Sequence, residues 1–293
     1  MGVRVFLLAT VLPVALLSAT ESAWGQAEPR SRSFLTSDGV ALHYLEAGSG
    51  PTLVFVPGWT MPAEIWEPQL RHFATTNHVV AFDPRGHGRS DKPTFGYHPS
   101  RRALDIWELL LHLDGKPAVV IGWSLGVQEV LLSAQEFGTD LIRAVVLVDH
   151  DLTLDAQETR ELVAARVESL LLDRPGFTRA FVEAIHASPQ PAAYLEGLTE
   201  AVLAMPTTAA ALVSANVALL GPIDLRPALQ TVDRPVLFVF SSLDWAVAAA
   251  EKVRREWPGI PLETMDATSH ALFVDRPEEF NRVLEAFLAS LPD

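Results

Sequence analysis

Short apolar runs alternate with longer helical patterns along most of the chain. Five runs of five or six residues consist mainly of Val, Leu, Ile, Ala and Phe: TLVFV (52–56), HVVAF (78–82), AVVIG (118–122), AVVLVD (144–149) and PVLFVF (235–240). Continuous apolar runs of this length predict strands that are buried on both faces, as in a parallel sheet. The segments between them carry apolar residues at helical spacing. The sequence therefore predicts an α/β fold with a doubly wound, mostly parallel sheet flanked by helices.

The alternation stops between about residues 153 and 221. This interval contains helical segments and no strand-like run, from DAQETRELVAARVESLLL to TTAAALVSANVALL. Residues 201–220 are apolar enough to raise the question of a membrane span, but the polar residues within them favour a packed helix pair. We interpret the interval as a helical cap inserted over the sheet. The predicted division is a core of 26–152, a cap of 153–221 and a second core part of 222–293.

The first 25 residues have the layout of a secretory signal peptide. MGVR supplies a positive start, VFLLATVLPVALLSA an apolar stretch, and AWGQ a small-residue site that could be cut after Gly25. The apolar stretch is short for a membrane span, although an uncleaved anchor is the alternative. We expect a periplasmic or secreted protein with no membrane span after cleavage. The chain contains no cysteine, so its core alone must stabilise it.

The charge balance narrows the classes of partner. The chain has 36 acidic and 22 basic residues, a formal net charge of -14. This excludes nucleic acid as an expected partner, because phosphate binding requires a positive surface. The sequence also lacks a phosphate loop and a dinucleotide-binding fingerprint, so we expect no cofactor. A soluble protein that binds small neutral or apolar molecules fits the composition.

A serine between glycines provides the main chemical signal. The sequence GWSLG places Ser124 between an apolar run and a helical segment. Strand, sharp turn and helix form the context of a nucleophile elbow, in which small residues at 122 and 126 avoid clashes. The following helix directs its N-terminal N–H groups at the site and favours developing negative charge.

A serine nucleophile requires a base and an acid that orients the base. Asp244 follows the run at 235–240, and His270 lies in a loop before the C-terminal helical pattern. The order Ser124, Asp244, His270 fits three loops that converge at one edge of the sheet. Asp149, which ends the run at 144–149, is the alternative acid.

Together these features resemble the α/β-hydrolase fold superfamily from residue 33 to the end. The stretches LVFVPGWTMPAEIWEPQL and VVAFDPRGHGRSDKP are similar to that superfamily's oxyanion loop and to its next strand and turn. The resemblance implies an oxyanion hole formed by the backbone N–H groups of Trp59 and Leu125, and a helical cap. His87, in the second stretch, could reach the edge of the site, but the sequence favours a structural role in a turn braced by Asp83, Arg85 and Ser90.

The remaining candidates concern the substrate pocket. Trp123, His150 and Trp245 neighbour the proposed catalytic positions and are predicted to bind a largely apolar substrate. We expect no metal site at Asp149, His150 and Asp151, because three consecutive residues do not easily face one ion. The predicted function is a serine hydrolase of esters or lactones, with haloperoxidase-like perhydrolase chemistry as a side possibility. The alternative is a small-ligand binding or sensing protein, since Pro57 and Val127 depart from the family pattern.

Overall fold

The computed structural model describes residues 28–219 and 223–292. Within these ranges eight strands form one sheet in the order β1-β2-β4-β3-β5-β6-β9-β10, and β7 pairs with β8 separately. The strands are β1 Arg30–Leu35, β2 Ala41–Gly48, β3 Thr52–Val56, β4 His78–Phe82, β5 Ala118–Trp123, β6 Ile142–Val148, β7 Thr153–Leu154, β8 Ile223–Asp224, β9 Val236–Phe240 and β10 Leu262–Thr264. The neighbouring strands in the part of the sheet ordered β4-β3-β5-β6-β9-β10 are parallel. β2 is antiparallel to both β1 and β4.

The central strands are buried on both faces, as their apolar runs predict. Along β3, Val54 and Val56 belong to one apolar cluster, whereas Leu53 and Phe55 belong to another. Successive side chains of a strand point to opposite faces, so the two clusters are the two sides of the sheet. Burial of a side chain such as Phe55, which is 0% exposed, contributes about 1.5–3 kcal/mol.

Helices cover both faces of the sheet. They are α1 Glu67–Phe73, α2 Pro99–His112, α3 Leu125–Phe137, α4 Ala156–Leu172, α5 Arg174–Ala184, α6 Ala192–Leu203, α7 Thr207–Leu219, α8 Arg226–Gln230, α9 Asp244–Glu256, α10 Leu272–Asp275 and α11 Pro277–Ser290, with a 3-10 turn at Ala63–Trp66. Helices α2, α3 and α9 pack on the face of Val54, and α1 and α11 pack on the face of Phe55. The doubly wound α/β fold predicted from the sequence is confirmed.

The cap consists of α4, α5, α6 and α7, which lie in the chain between β7 and β8. A third apolar cluster joins it to the loop after β3, where Trp59 packs with cap residues that include Leu170, Met205 and Val213. No single described helix is long and apolar enough to cross a membrane. By length and composition alone, α6 and α7 pass such a test as a pair, but they meet at a bend of 80°. The predicted signal peptide, residues 1–25, lies outside the described residues.

Candidate active site

Ser124 occupies a strained turn between β5 and α3. Its backbone has φ +53° and ψ -122°, a conformation that a non-glycine residue rarely adopts. The neighbouring glycines make this turn possible. A Cβ on Gly122 would lie 2.6 Å from the backbone oxygen of Gly126, and a Cβ on Gly126 would lie 2.6 Å from that of Val56. The turn therefore lifts Ser124 above the carboxyl edge of the sheet.

His270 lies within hydrogen-bond distance of Ser124. Its Nε2 is 2.9 Å from the Ser124 Oγ, and its Nδ1 is 2.7 Å from Oδ2 of Asp149. An ionised carboxylate only accepts hydrogen bonds, so Nδ1 carries the proton and Nε2 is left to accept the serine hydroxyl. This tautomer is the one that can remove a proton from Ser124.

The acid beside His270 is Asp149, and the prediction of Asp244 for this position is wrong. Asp149 follows β6 directly and is fully buried. Its second oxygen, Oδ1, accepts a hydrogen bond of 2.7 Å from the backbone N–H of Ser241, which follows β9. Asp244 is the first residue of α9 and is exposed. Because β6 and β9 are neighbours, both acids follow strands at the same sheet edge, and only the turn after β6 aims its carboxylate at His270.

The loop that carries Trp59 packs directly against Ser124. A Cβ on Gly58 would lie 3.0 Å from the Ser124 Cβ, so the chain here approaches the serine as closely as a glycine permits. Leu125 is the first residue of α3, and the first N–H groups of a helix have no acceptor within that helix. Trp59, Ser124 and Leu125 line the same cavity. This arrangement is compatible with an oxyanion hole formed by the two predicted backbone N–H groups.

His87 braces the same loop from beneath. Its Nε2 accepts a hydrogen bond of 2.9 Å from the backbone N–H of Thr60, and its Nδ1 lies 3.0 Å from the backbone oxygen of Arg85. Thr60 has a positive φ of 62°, so the loop needs such a fixed contact. Burial lowers the pKa of His87 well below its ordinary value, which keeps the ring neutral. His87 thus has a structural role, as the sequence favours, and it contacts the loop of Thr60 as well as its own turn.

A cavity of about 480 Å³ opens above Ser124. Its walls come from the sheet edge and from the cap, which contributes Leu162, Arg166, Phe181, Ile185 and Val217 among others. Most of the lining is apolar. Gln128 and Arg166 are polar lining residues that sequence reasoning missed. Gln128 follows Ser124 by one helical turn, and this spacing could have predicted that its side chain lies near the serine. Nothing in the sequence around Arg166 indicates that its helix would face the serine.

The three predicted substrate-binding residues all line this cavity but differ in role. Trp123 is 1% exposed, and its indole N–H donates a hydrogen bond of 2.8 Å to the backbone oxygen of His270. Trp245 is 42% exposed at the rim, with its ring 5.7 Å from that of His270. Burial, and secondarily the charge of His270, lowers the pKa of His150 to about 4. His150 is therefore neutral near pH 7.

The two carboxylates that flank His150 in the sequence are each paired with another side chain. Asp149 pairs with His270, and Asp151 lies 2.7 Å from the ammonium group of Lys252. Within residues 28–219 and 223–292, no group of three or more His, Asp or Glu side chains is arranged to hold a metal ion.

Comparison with known proteins gives the family. Residues 53–283 match the model of the alpha/beta hydrolase family. The chain belongs to this family. The 2-(acetamidomethylene)succinate hydrolase of Mesorhizobium japonicum is 31% identical over 266 residues, which cover 85% of this chain and 92% of the relative. The non-heme chloroperoxidase CPO-A1 of Kitasatospora aureofaciens is 28% identical over 270 residues, which cover 86% of this chain and 98% of the relative.

A solved structure shares the alpha/beta hydrolase fold. The esterase of Exiguobacterium antarcticum superposes with a TM-score of 0.81 over 89% of this chain and 100% of its own, at 22% identity. The comparisons confirm the recognition of an alpha/beta hydrolase from the sequence. Membership of this family supports enzymatic activity as a hydrolase.

Proposed function

We propose that the chain is a serine hydrolase that cleaves carboxylic esters or lactones of small, largely apolar substrates through an acyl-enzyme intermediate. One observation carries the proposal. Ser124, His270 and Asp149 form a continuous hydrogen-bonded series at the floor of an apolar cavity, with the distances and the tautomer that nucleophilic catalysis requires.

In the proposed reaction, the Ser124 Oγ attacks the substrate carbonyl carbon while the His270 Nε2 accepts the hydroxyl proton. The negative charge that develops on the carbonyl oxygen is stabilised by the N–H groups of Trp59 and Leu125. Collapse of the tetrahedral intermediate expels the alcohol, which takes the proton from His270. A water molecule, deprotonated by His270, then attacks the acyl carbon, and Ser124 regains its proton as the acid leaves.

Asp149 stabilises the imidazolium that forms in each step and holds the ring in position. A buried carboxylate with two hydrogen bonds, one to His270 and one to the backbone of Ser241, is rigid enough for this role. The cap contributes apolar side chains to the cavity wall, and such low-dielectric surroundings strengthen the electrostatic contribution of the two N–H donors.

The primary test is the hydrolysis of p-nitrophenyl esters and acyl lactones by the wild type and by Ser124→Ala, with fluorophosphonate labelling in parallel. We expect turnover and labelling in the wild type and neither in the variant. Equal background rates and no labelling would reject the serine mechanism. They would favour the alternative of a binding or sensing protein on the same fold.

The matched control is Ser100→Ala, which removes an exposed hydroxyl from α2, on the surface and distant in sequence from the elbow. It is expected to retain both turnover and labelling. A loss of labelling in this control would show that the assay reports folding rather than the reactive serine.

A further inference from the structure

Arg166 places a cation in the wall of the apolar cavity. It belongs to α4 of the cap and lines the same cavity as Ser124 and His270. Its Cζ lies 4.6 Å from the centroid of the Trp59 ring, so the guanidinium stacks on the residue whose backbone N–H is proposed for the oxyanion hole. In the proposed mechanism, the guanidinium thus contacts the ring of Trp59 and the reacting carbonyl contacts its backbone N–H.

Among the described residues, Arg166 has neither an ion-pair partner nor a hydrogen-bond acceptor. Two arginines that the structure buries almost completely are neutralised: Arg85 lies 2.6 Å from Asp105, and Arg102 pairs with Glu129. Removing a charge from water without a partner is costly, so buried charges in proteins are normally paired. The stacking on Trp59 offsets part of this cost but supplies no negative charge.

Both carboxylates that line the cavity are already paired with other side chains. Asp149 is committed to His270, and Asp151 is paired with Lys252. Burial lowers the pKa of Arg166 to about 10, which still leaves it positively charged at neutral pH. Gln128 also lines the cavity, and its side-chain amide has no hydrogen-bond partner within the described part of the chain. The cavity lining therefore presents unused hydrogen-bond donors.

We propose that Arg166 binds a carboxylate group of the substrate, so that the preferred substrates are esters or lactones that carry a free carboxylate in addition to the scissile bond. This inference rests on the proposed function, since it assigns the substrate class of the same cavity. The planar guanidinium suits a carboxylate because its N–H groups can donate two parallel hydrogen bonds. The net charge of -14 would disfavour an anionic ligand at long range, so a local cation is required to bind one.

The test compares matched pairs of esters that differ only in one carboxylate. One pair is p-nitrophenyl hydrogen glutarate and p-nitrophenyl pentanoate, which places the charge on the acyl side. The other is 4-acetoxybenzoate and 4-acetoxytoluene, which places it on the alcohol side. Arg166→Gln is compared with Arg160→Gln, which removes the same charge from an exposed position of the same helix.

We expect Arg166→Gln to raise KM for the anionic member of one pair on the order of 10- to 100-fold. The ratio of KM between the anionic and the neutral member of that pair should rise at least about tenfold, because the neutral member makes no contact that depends on the guanidinium charge. Arg166→Lys should restore part of the loss, and Arg160→Gln should resemble the wild type. Equal changes in KM for the anionic and the neutral ester in both pairs would overturn the inference and leave the proposed function intact. Arg166 would then serve only to stack on Trp59.

A binding measurement separates the two proposals completely. Monomethyl glutarate is titrated against Ser124→Ala and against the double variant with Arg166→Gln, with calorimetry as the readout. Binding that weakens at least about tenfold in the double variant supports the role of Arg166 even where no ester is turned over. Binding that is absent from both proteins, or equal in both, overturns it.

Discussion

The indole N–H of Trp123 donates a hydrogen bond of 2.8 Å to the backbone oxygen of His270. This contact joins the residue before the proposed nucleophile to the residue that carries the proposed base. The Trp123 ring also packs edge-on against Phe273 in the helix that follows His270. The position of the imidazole is therefore fixed at its backbone as well as at its ring.

Replacement of Trp123 with Phe removes this hydrogen bond and leaves a small cavity. We expect the free energy of unfolding to fall by about 1–3 kcal/mol and kcat to fall about tenfold as His270 loses its alignment. Urea denaturation and ester turnover measure the two effects. Trp245→Phe is the control, because Trp245 is half-exposed and should change stability by less than about 0.5 kcal/mol. Unchanged kcat in Trp123→Phe would show that the tryptophan only fills the core.

The identity of the acid can be tested by two isosteric substitutions. Asp149→Asn should lower kcat by about 10⁴, because an amide no longer stabilises the required tautomer of His270 or its protonated form. Asp244→Asn should change kcat by less than about twofold. Circular dichroism and thermal unfolding establish that both variants fold. A large loss of kcat in Asp244→Asn alone would restore the assignment made from the sequence.

The lowered pKa of His150 predicts that the free energy of unfolding depends on pH. Its pKa is about 4 in the folded protein, lowered by burial from an ordinary value of 6.5. Between these values the unfolded chain binds more protons than the folded chain, so the free energy of unfolding falls as the pH falls from about 6.5 to about 4. His150 alone contributes a slope of up to about 1.4 kcal/mol per pH unit.

The substitution His150→Gln should make this pH dependence shallower without abolishing it. The depressed pKa of His87 acts in the same direction and remains in the variant. Urea unfolding of both proteins at several pH values between 4 and 7.5 measures the slopes. Identical slopes for the wild type and the variant would contradict the assignment of a lowered pKa to His150 in the folded protein.

Two glycine-to-alanine substitutions have opposite expected effects. Gly126→Ala places a Cβ against the backbone of β3, which cannot withdraw without moving the sheet, so we expect a loss of more than about 2 kcal/mol. Gly197→Ala, in the middle of α6, meets nothing within 4 Å and should stabilise the protein by about 0.5–1 kcal/mol. Thermal unfolding distinguishes the two. Stabilisation by Gly126→Ala would contradict the tight approach of α3 to β3.

The local pattern of hydrophobic residues was sufficient to predict much of the fold. The run at 52–56 and the run at 78–82 coincide with β3 and β4, because a strand buried on both faces must be apolar throughout. β1 and β2 were not predicted. β1 is an exposed edge strand of mostly polar residues, and it depends on pairing with β2 rather than on burial. Such a strand leaves little hydrophobic signal in the sequence.

The elbow at Ser124 was also determined locally, because its geometry demands small residues at fixed positions beside the serine. The choice between Asp149 and Asp244 was not determined by local sequence. Both follow adjacent parallel strands, and the turn that aims one carboxylate at His270 depends on contacts between β6 and β9. The position of Arg166 over the cavity likewise depends on how the cap packs on Trp59. Hydrophobic periodicity and the elbow motif were therefore sufficient to predict the five central strands and the turn at Ser124. The placement of Asp149 beside His270 and of Arg166 over the cavity depends on long-range packing, because hydrophobic periodicity describes each element but not how distant elements meet.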